Sequence, residues 1–210
     1  MAATVTTPVV FDIGNVLVRW DPCPPIAAAV GEERAREFLA DPEFDFGRWN
    51  LARDAGEGAW VDAETTAVAA FPHWREAILA YRQNFRLSLS GGLEGSHEII
   101  RELLAAQVPV YGLTNWAAEL FPMAYEVVPV LHELVDIIVS GVERVAKPDP
   151  RIWTILAQRT GRPLRELVFT DDSVANIESA RVAGIDAILF EDPEQLRAAL
   201  VERGYAIRRA

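Results

Sequence analysis

The chain has 210 residues, half of them hydrophobic and 24% charged, with 31 Asp and Glu against 20 Lys and Arg for a net charge of −11. That is enough apolar material for a core without disulfides or metal staples, which excludes a disordered or fibrous chain. The acidity sets aside nucleic acid and anionic membrane surfaces as partners, because phosphate backbones and acidic headgroups recruit Lys and Arg.

The first element is a short apolar run, Val9-Val10-Phe11, ending on Asp12. From about residue 22 to 92 the pattern turns helical. Helices are predicted over Ile26–Leu39, Glu64–Phe71 and Glu76–Phe85, the last with Ile78, Tyr81 and Phe85 on one face. Trp20, Trp49, Trp60 and Trp74 lie in or beside this stretch, which carries no convincing buried strand and has Pro22, Pro24, Pro25 and Gly91-Gly92 as candidate hinges. After Gly95 a helix carrying Ile99, Ile100, Leu103 and Leu104 is predicted, with Ser96 as N-cap. Apolar runs then recur at Val108–Leu113, Val135–Val139, Leu167–Phe169 and Ala187–Phe190. Between and after them, Ala175–Gly184 and the stretch opened by Asp192-Pro193 and stopped by Gly204 read as helices. Short β-branched runs without alternation are strands buried on both faces of a parallel sheet. Their alternation with helices predicts an α/β fold: a doubly wound, Rossmann-like parallel sheet built from residues 1–21 and 93–210, with a helical cap domain, 22–92, inserted after the first strand.

In such a sheet ligands bind at the carboxyl ends of the strands. The polar residues there are Asp12, then Thr114 and Asn115, then Lys147 beyond the third core run, then Asp171 and Asp172. A carboxylate at a strand end can be a nucleophile if the electrophile is held still and the charge repulsion relieved. Two carboxylates from another strand can complete an oxygen cage for a hard cation such as Mg²⁺. A Thr hydroxyl and an Asn amide can bind phosphate oxygens, and a Lys can neutralise both nucleophile and phosphoryl group. Together they suit phosphoryl transfer.

These residues, in the order Asp12-Ile13-Gly14-Asn15-Val16, Thr114-Asn115, Lys147-Pro148 and Asp171-Asp172-Ser173 with Asn176, resemble the four motifs of the haloacid dehalogenase superfamily hydrolases, in the branch with a helical cap after the first strand. The resemblance implies a Mg²⁺-dependent phosphatase that passes through an aspartyl-phosphate on Asp12. It implies metal ligands in the Asp12 carboxylate, the Gly14 carbonyl and Asp172, with Asp171 or Asn176 orienting metal waters. It implies phosphate contacts from Thr114, Asn115 and Lys147. One departure stands out. The family's phosphatases carry a second Asp two residues after the nucleophile as general acid, and here that position is Gly14. A glucose-1-phosphate phosphatase branch shares this D-x-G-N-V pattern. Asp21, Asp45 and Asp54 are candidate replacements.

The expected substrate is a small phosphorylated molecule, a sugar phosphate among the options, and the expected assembly a monomer or homodimer. The alternatives are a metal-independent 2-haloacid dehalogenase, against which the tandem Asp171-Asp172 argues, and a degenerate phospho-ligand-binding protein, for which Gly14 is the only support. His73, His97 and His132 lack metal-ligand spacing and are expected at the surface or at helix ends. The Asp41, Glu43, Asp45 run is expected to be a solvated face, and Trp153 to be packing. Trp49, Trp60 and Trp116 can either pack or line a pocket. Cys23 has no partner for an internal disulfide, the segment MAATVTTPVV lacks a basic leader region, and no run of ~18 apolar residues can span a bilayer, so a cytoplasmic location is expected.

Overall fold

The structure, a computed structural model, describes residues 6–208. Residues 1–5 and 209–210, which the expected core segments also include, lie outside the described residues. Strand β1 (Val9–Phe11) leads through a tight turn into β2 (Val18–Trp20). Five helices follow: α1 (Cys23–Val30), α2 (Glu32–Ala40), α3 (Phe46–Asp54), α4 (Trp60–Ala70) and α5 (Arg75–Gln83). The chain returns on β3 (Leu89–Gly92) and then alternates: α6 (Glu94–Ala105), β4 (Val110–Thr114), α7 (Pro122–Val127), β5 (Asp136–Val139), α8 (Ser140–Glu143), α9 (Arg151–Thr160), β6 (Val168–Asp171), α10 (Val174–Val182), β7 (Asp186–Leu189) and α11 (Pro193–Glu202).

Five strands form one parallel sheet in the order β5-β4-β1-β6-β7. β1 is its middle strand, and all three of its residues are fully buried. Successive side chains point to opposite faces of a strand. Val9 and Phe11 therefore join an apolar cluster with Ile99, Ile100 and Leu103 of α6 and Leu196 and Leu200 of α11. Val10 joins the opposite cluster with Ile152, Trp153 and Leu156 of α9 and Ile177 of α10. Helices thus cover both faces, and the fold is the doubly wound α/β architecture. The helix ends follow local chemistry. Asp192 caps α11 by accepting from Gln195 N at 2.8 Å, and Gly184 turns the chain after α10 at φ +91°.

β2 and β3 pair antiparallel, apart from the main sheet, and the five helices lie between them in sequence. Several local expectations are corrected here. β3 falls inside the stretch expected to lack strands. The helix expected over Ile26–Leu39 is two, broken at Gly31, whose φ of +83° leaves the helical region. Pro24 and Pro25 sit in the first turn of α1, where a missing N–H costs nothing, rather than in a hinge. α3 was not foreseen. Ser96 is buried inside α6 and does not cap it. Asp41 accepts from the Trp74 indole at 2.6 Å and is not simply solvated. His97 lies in the first turn of α6, at a helix end as expected, but is buried there; its Nε2 pairs with the Leu17 carbonyl at 2.8 Å.

Two outcomes are expected. A Cβ added at Gly92 would stand 2.3 Å from His97 Cε1, and the ring is fixed by its bond to Leu17. Gly92→Ala therefore overpacks the base of the helical segment and should lower unfolding free energy by ~1–3 kcal/mol in urea titrations. Glu102 accepts from Arg197 Nη1 and Arg208 Nε at 2.7 Å and from Arg208 N at 2.8 Å. Burial opposes its ionised form, but these donors win and hold its carboxyl down at about 2. An unfolded Glu titrates at ~4.3. The stabilisation is complete above that value and is lost as pH falls towards 2. The melting temperature of Glu102→Gln should lie below wild type at pH 7 and converge with it as pH approaches 2.

Candidate active site

The parallel register brings the strand ends to one edge. Phe11 pairs with Gly112 on one side and Thr170 on the other. The next residues, Asp12, Leu113 and Asp171, are therefore level, and Asp12 N donates to Thr170 O at 2.9 Å. Thr114 closes β4 and is buried. Lys147 arrives from the segment after α8 with its side chain only 1% exposed. Its ammonium donates to Asp12 Oδ1 at 2.9 Å, Asp171 Oδ2 at 2.6 Å and the Leu113 carbonyl at 2.8 Å. All three donors of the ammonium are thereby used on three different strand ends.

Asp171 is fully enclosed. Its Oδ1 also accepts from Ser173 N at 2.8 Å, and Asn176 Nδ2 lies 3.0 Å from both oxygens. Asp171 and Asn176, implied beside metal waters, thus spend their polar atoms on Lys147 and on each other. Asn115 also holds the lysine. Its amide donates one N–H to Lys147 O and accepts from Lys147 N, both at 2.8 Å, so it clasps the lysine backbone and keeps its second N–H beside the cavity it lines.

Asp12 Oδ1 also accepts from Ile13 N at 2.7 Å. Among the described residues Oδ2 takes no hydrogen bond, which leaves it free to react or to ligate. Burial pushes the Asp12 carboxyl up to about 7, against the pull of Lys147 and with the repulsion of Asp171. Asp172, solvent-exposed beside it, is pushed up by partial burial and by Asp171, while a hydrogen bond from Asn15 pulls it down. Burial disfavours the Lys147 ammonium, yet Asp12 and Asp171 carry its pKa above the ordinary value. One oxygen from each of Asp12, Asp171 and Asp172 lies within 4.8 Å of the others. Three carboxylates against one ammonium leave an excess of negative charge that a divalent cation would relieve. With Asp171 engaged, the oxygen donors left for a hard cation are Asp12, Asp172 and the Gly14 carbonyl, a set that suits Mg²⁺.

These residues form the floor of a cavity of about 370 Å³. Asp12, Gly14, Asn15, Asn115 and Asp172 line it from the sheet side; Phe46, Asn50, Asp54, Tyr81 and Phe85 line it from the helical side, with Trp20 and Trp116 between. Neither Thr114 nor any Lys, Arg or His lines it. Trp116 is therefore a cavity wall, whereas Trp49 and Trp60 pack edge to face with each other and against Tyr81. Of the candidate acids, Asp54 lines the cavity. Asp21 accepts from Cys23 N and Asp45 caps α3 through Arg48 N, both away from it. Asn15, with a left-handed φ of 55°, and Ser140 were missed. Ser140 follows β5 directly, so the strand-end rule applies to it equally; its Oγ donates to Asp54 O at 2.5 Å and accepts from Trp116 N at 2.9 Å.

A family model described as haloacid dehalogenase-like hydrolase matches residues 8–184. Over 189 residues the chain is 21% identical to the drimenol cyclase of Aspergillus calidoustus, covering 90% of this chain and 34% of the cyclase. Over 72 residues it is 38% identical to a phosphatase of Mycobacterium tuberculosis (strain CDC 1551 / Oshkosh), covering 34% of this chain and 33% of the phosphatase. The chain thus spans about a third of the length of these curated relatives. Among solved structures, a HAD family enzyme of Bacteroides thetaiotaomicron in its magnesium complex shares the fold at a TM-score of 0.68 and 17% identity, over 90% of this chain and 95% of that one.

Removing the shared cation strands two buried carboxylates. Lys147→Met should cost ~3–5 kcal/mol of unfolding free energy at pH 8. The loss should shrink at pH 5, where protonation removes the unpaired charge, as measured by denaturant titration at both pH values.

Proposed function

The chain belongs to the haloacid dehalogenase-like hydrolases, and from that premise we propose that it is a Mg²⁺-dependent phosphatase of small, soluble phosphomonoesters. The observation that carries this reading is Lys147 held between Asp12 and Asp171, with Asp172 and the free Asp12 Oδ2 beside it.

Asp12 Oδ2 attacks phosphorus. Lys147, fixed on Oδ1, keeps the nucleophile ionised and offsets charge on the phosphoryl oxygens. Thr114, expected to bind one of those oxygens, is buried at the end of β4 and does not line the cavity, so we assign it no contact. Asp12, Asp172 and the Gly14 carbonyl would hold Mg²⁺, which when bound supplies charge neutralisation and orients the phosphoryl group. Water then hydrolyses the aspartyl-phosphate. Asp171 and Asn176 position Lys147 from outside the cavity, whereas Asn115 clasps the lysine backbone and has one amide N–H left for a phosphoryl oxygen. The helical wall of the cavity excludes bulk water.

The cavity's lining bears on the substrate. It is aromatic, carries the carboxyl groups of Asp12, Asp54 and Asp172, of which Asp12 and Asp172 face the phosphoryl end, and has no cationic side chain at its surface. A leaving group with its own carboxylate or second phosphate would be repelled there. An uncharged alcohol, a sugar included, suits aromatic walls with Asn15 and Asn50 as polar contacts. The same feature argues against a 2-haloacid substrate, whose carboxylate needs a cation, as does the tandem Asp171-Asp172. The similarity to part of a mycobacterial phosphatase points the same way. No helix among the described residues is long and apolar enough to cross a membrane. The net charge of −11 favours a small phosphorylated molecule over nucleic acid as the partner.

Hydrolysis of 4-nitrophenyl phosphate should require Mg²⁺, stop on chelation and fall to background in Asp12→Asn. Halide release from 2-chloropropionate should be undetectable with or without the metal. Equal inertness of wild type and variant towards the phosphate ester under all metal conditions would refute the phosphatase reading.

A further inference from the structure

Gly14 stands where the resemblance places a proton donor, and a Cβ built on it meets nothing within 4 Å. The space is open, and a hydrogen side chain donates no proton. An alkoxide leaving group therefore needs its proton from another wall of the cavity. The ionisable side chains lining it are Asp12, Asp54, Tyr81 and Asp172. Asp12 is spent on phosphorus, and Asp172 belongs to the cation's donor set. Tyr81 is buried, and burial pushes its hydroxyl well above the ordinary phenol range. Only Asp54 remains.

We infer that Asp54, carried by α3 of the helical segment, is the general acid that protonates the leaving-group oxygen. This rests on the phosphatase reading and adds the proton donor to it. Asp54 is aimed by two hydrogen bonds: Oδ1 accepts from Ala117 N at 2.9 Å and Oδ2 from Asn50 Nδ2 at 2.8 Å. Each oxygen keeps a second lone pair, so the carboxyl can carry a proton without losing either bond. Its backbone carbonyl is anchored by Ser140 Oγ. Burial pushes the carboxyl up to about 8, against both hydrogen bonds, so it holds a proton at neutral pH.

The step balances as follows. Asp12 Oδ2 forms a bond to phosphorus while the ester P–O bond breaks and its electron pair passes to the leaving oxygen. That oxygen takes the Asp54 proton and departs as the alcohol. In the second half, water attacks phosphorus and yields a proton to the Asp54 carboxylate. The Asp12–phosphorus bond breaks, and its pair returns to Asp12.

The test is a series of phosphomonoesters of rising leaving-group pKa, from 4-nitrophenyl through phenyl to simple alkyl, turned over with Mg²⁺ by wild type, Asp54→Asn and Ser140→Ala. The reading is kcat/KM, which reports the first chemical step. For Asp54→Asn the loss should climb along the series, reaching ~10²–10⁴-fold for alkyl esters and at least tenfold less for 4-nitrophenyl phosphate. Ser140→Ala loosens the same junction but keeps the carboxyl, so its loss should be uniform. Restoration of alkyl-ester turnover by adding Gly14→Asp to Asp54→Asn would support the assignment further. If Asp54→Asn does not fold, the wild-type series decides: a shallow dependence on leaving-group pKa supports an acid in the cavity, and a steep fall overturns it. A uniform loss in folded Asp54→Asn overturns the inference while the phosphatase reading stands. A wild type inert towards every ester overturns both.

Discussion

The buried ammonium of Lys147 is the constraint on which the rest of the site depends. Two carboxylates and a carbonyl, from three adjacent strands, would repel one another at the edge of this sheet without it. Removing charges from water costs several kcal/mol per ion, so such a pair persists only when its hydrogen bonds are complete. Here they are. The ammonium has three acceptors, Asp171 has donors on both oxygens, and Asn115 fixes the lysine backbone from both sides. Among the described residues, the oxygen of these two carboxylates left without a hydrogen bond is Asp12 Oδ2, the atom whose freedom the chemistry needs.

Aromatic packing carries this order across to the helical segment. Rings run from Trp49 through Tyr81 and Phe85 to Trp116, Phe121 and Tyr125, each meeting the next at 5.4–6.3 Å and steeply inclined. Edge-to-face pairs add ~0.5–1.5 kcal/mol each beyond their buried area. The chain of rings begins in α3, passes through α5 and ends in α7, so it joins helices from both sides of the β2–β3 pair. The cavity sits against its middle, where Tyr81, Phe85 and Trp116 serve as packing on one side and wall on the other.

What the sequence makes legible follows from the range of the interaction involved. The five core strands are readable because strands covered on both faces must be apolar throughout, and Asp12, Asp171 and Asp172 stand out as the first polar residues past two of them. Asn115 was visible as a polar residue but not as a clasp, since its partner lies 32 residues away and no local pattern encodes that pairing. The burial of His97 is set by Leu17, 80 residues distant, for the same reason. α3 escaped because its helical spacing is confined to one pair, Phe46 and Trp49, while Leu51, two residues further on, falls off that face. Ser140 needed only the strand-end rule applied once more.

Where the helical segment rests on the core beside Asp54, the two backbones nearly touch. A Cβ on Gly56 would lie 2.8 Å from Gly141 O, and one on Gly141 would lie 2.4 Å from Ala118 N. Main chain thus meets main chain at this point, with the Arg144 side chain and the Asp54–Ala117 hydrogen bond beside it. A side chain at Gly56 would hold the helical segment off the core and carry Asp54 away with it.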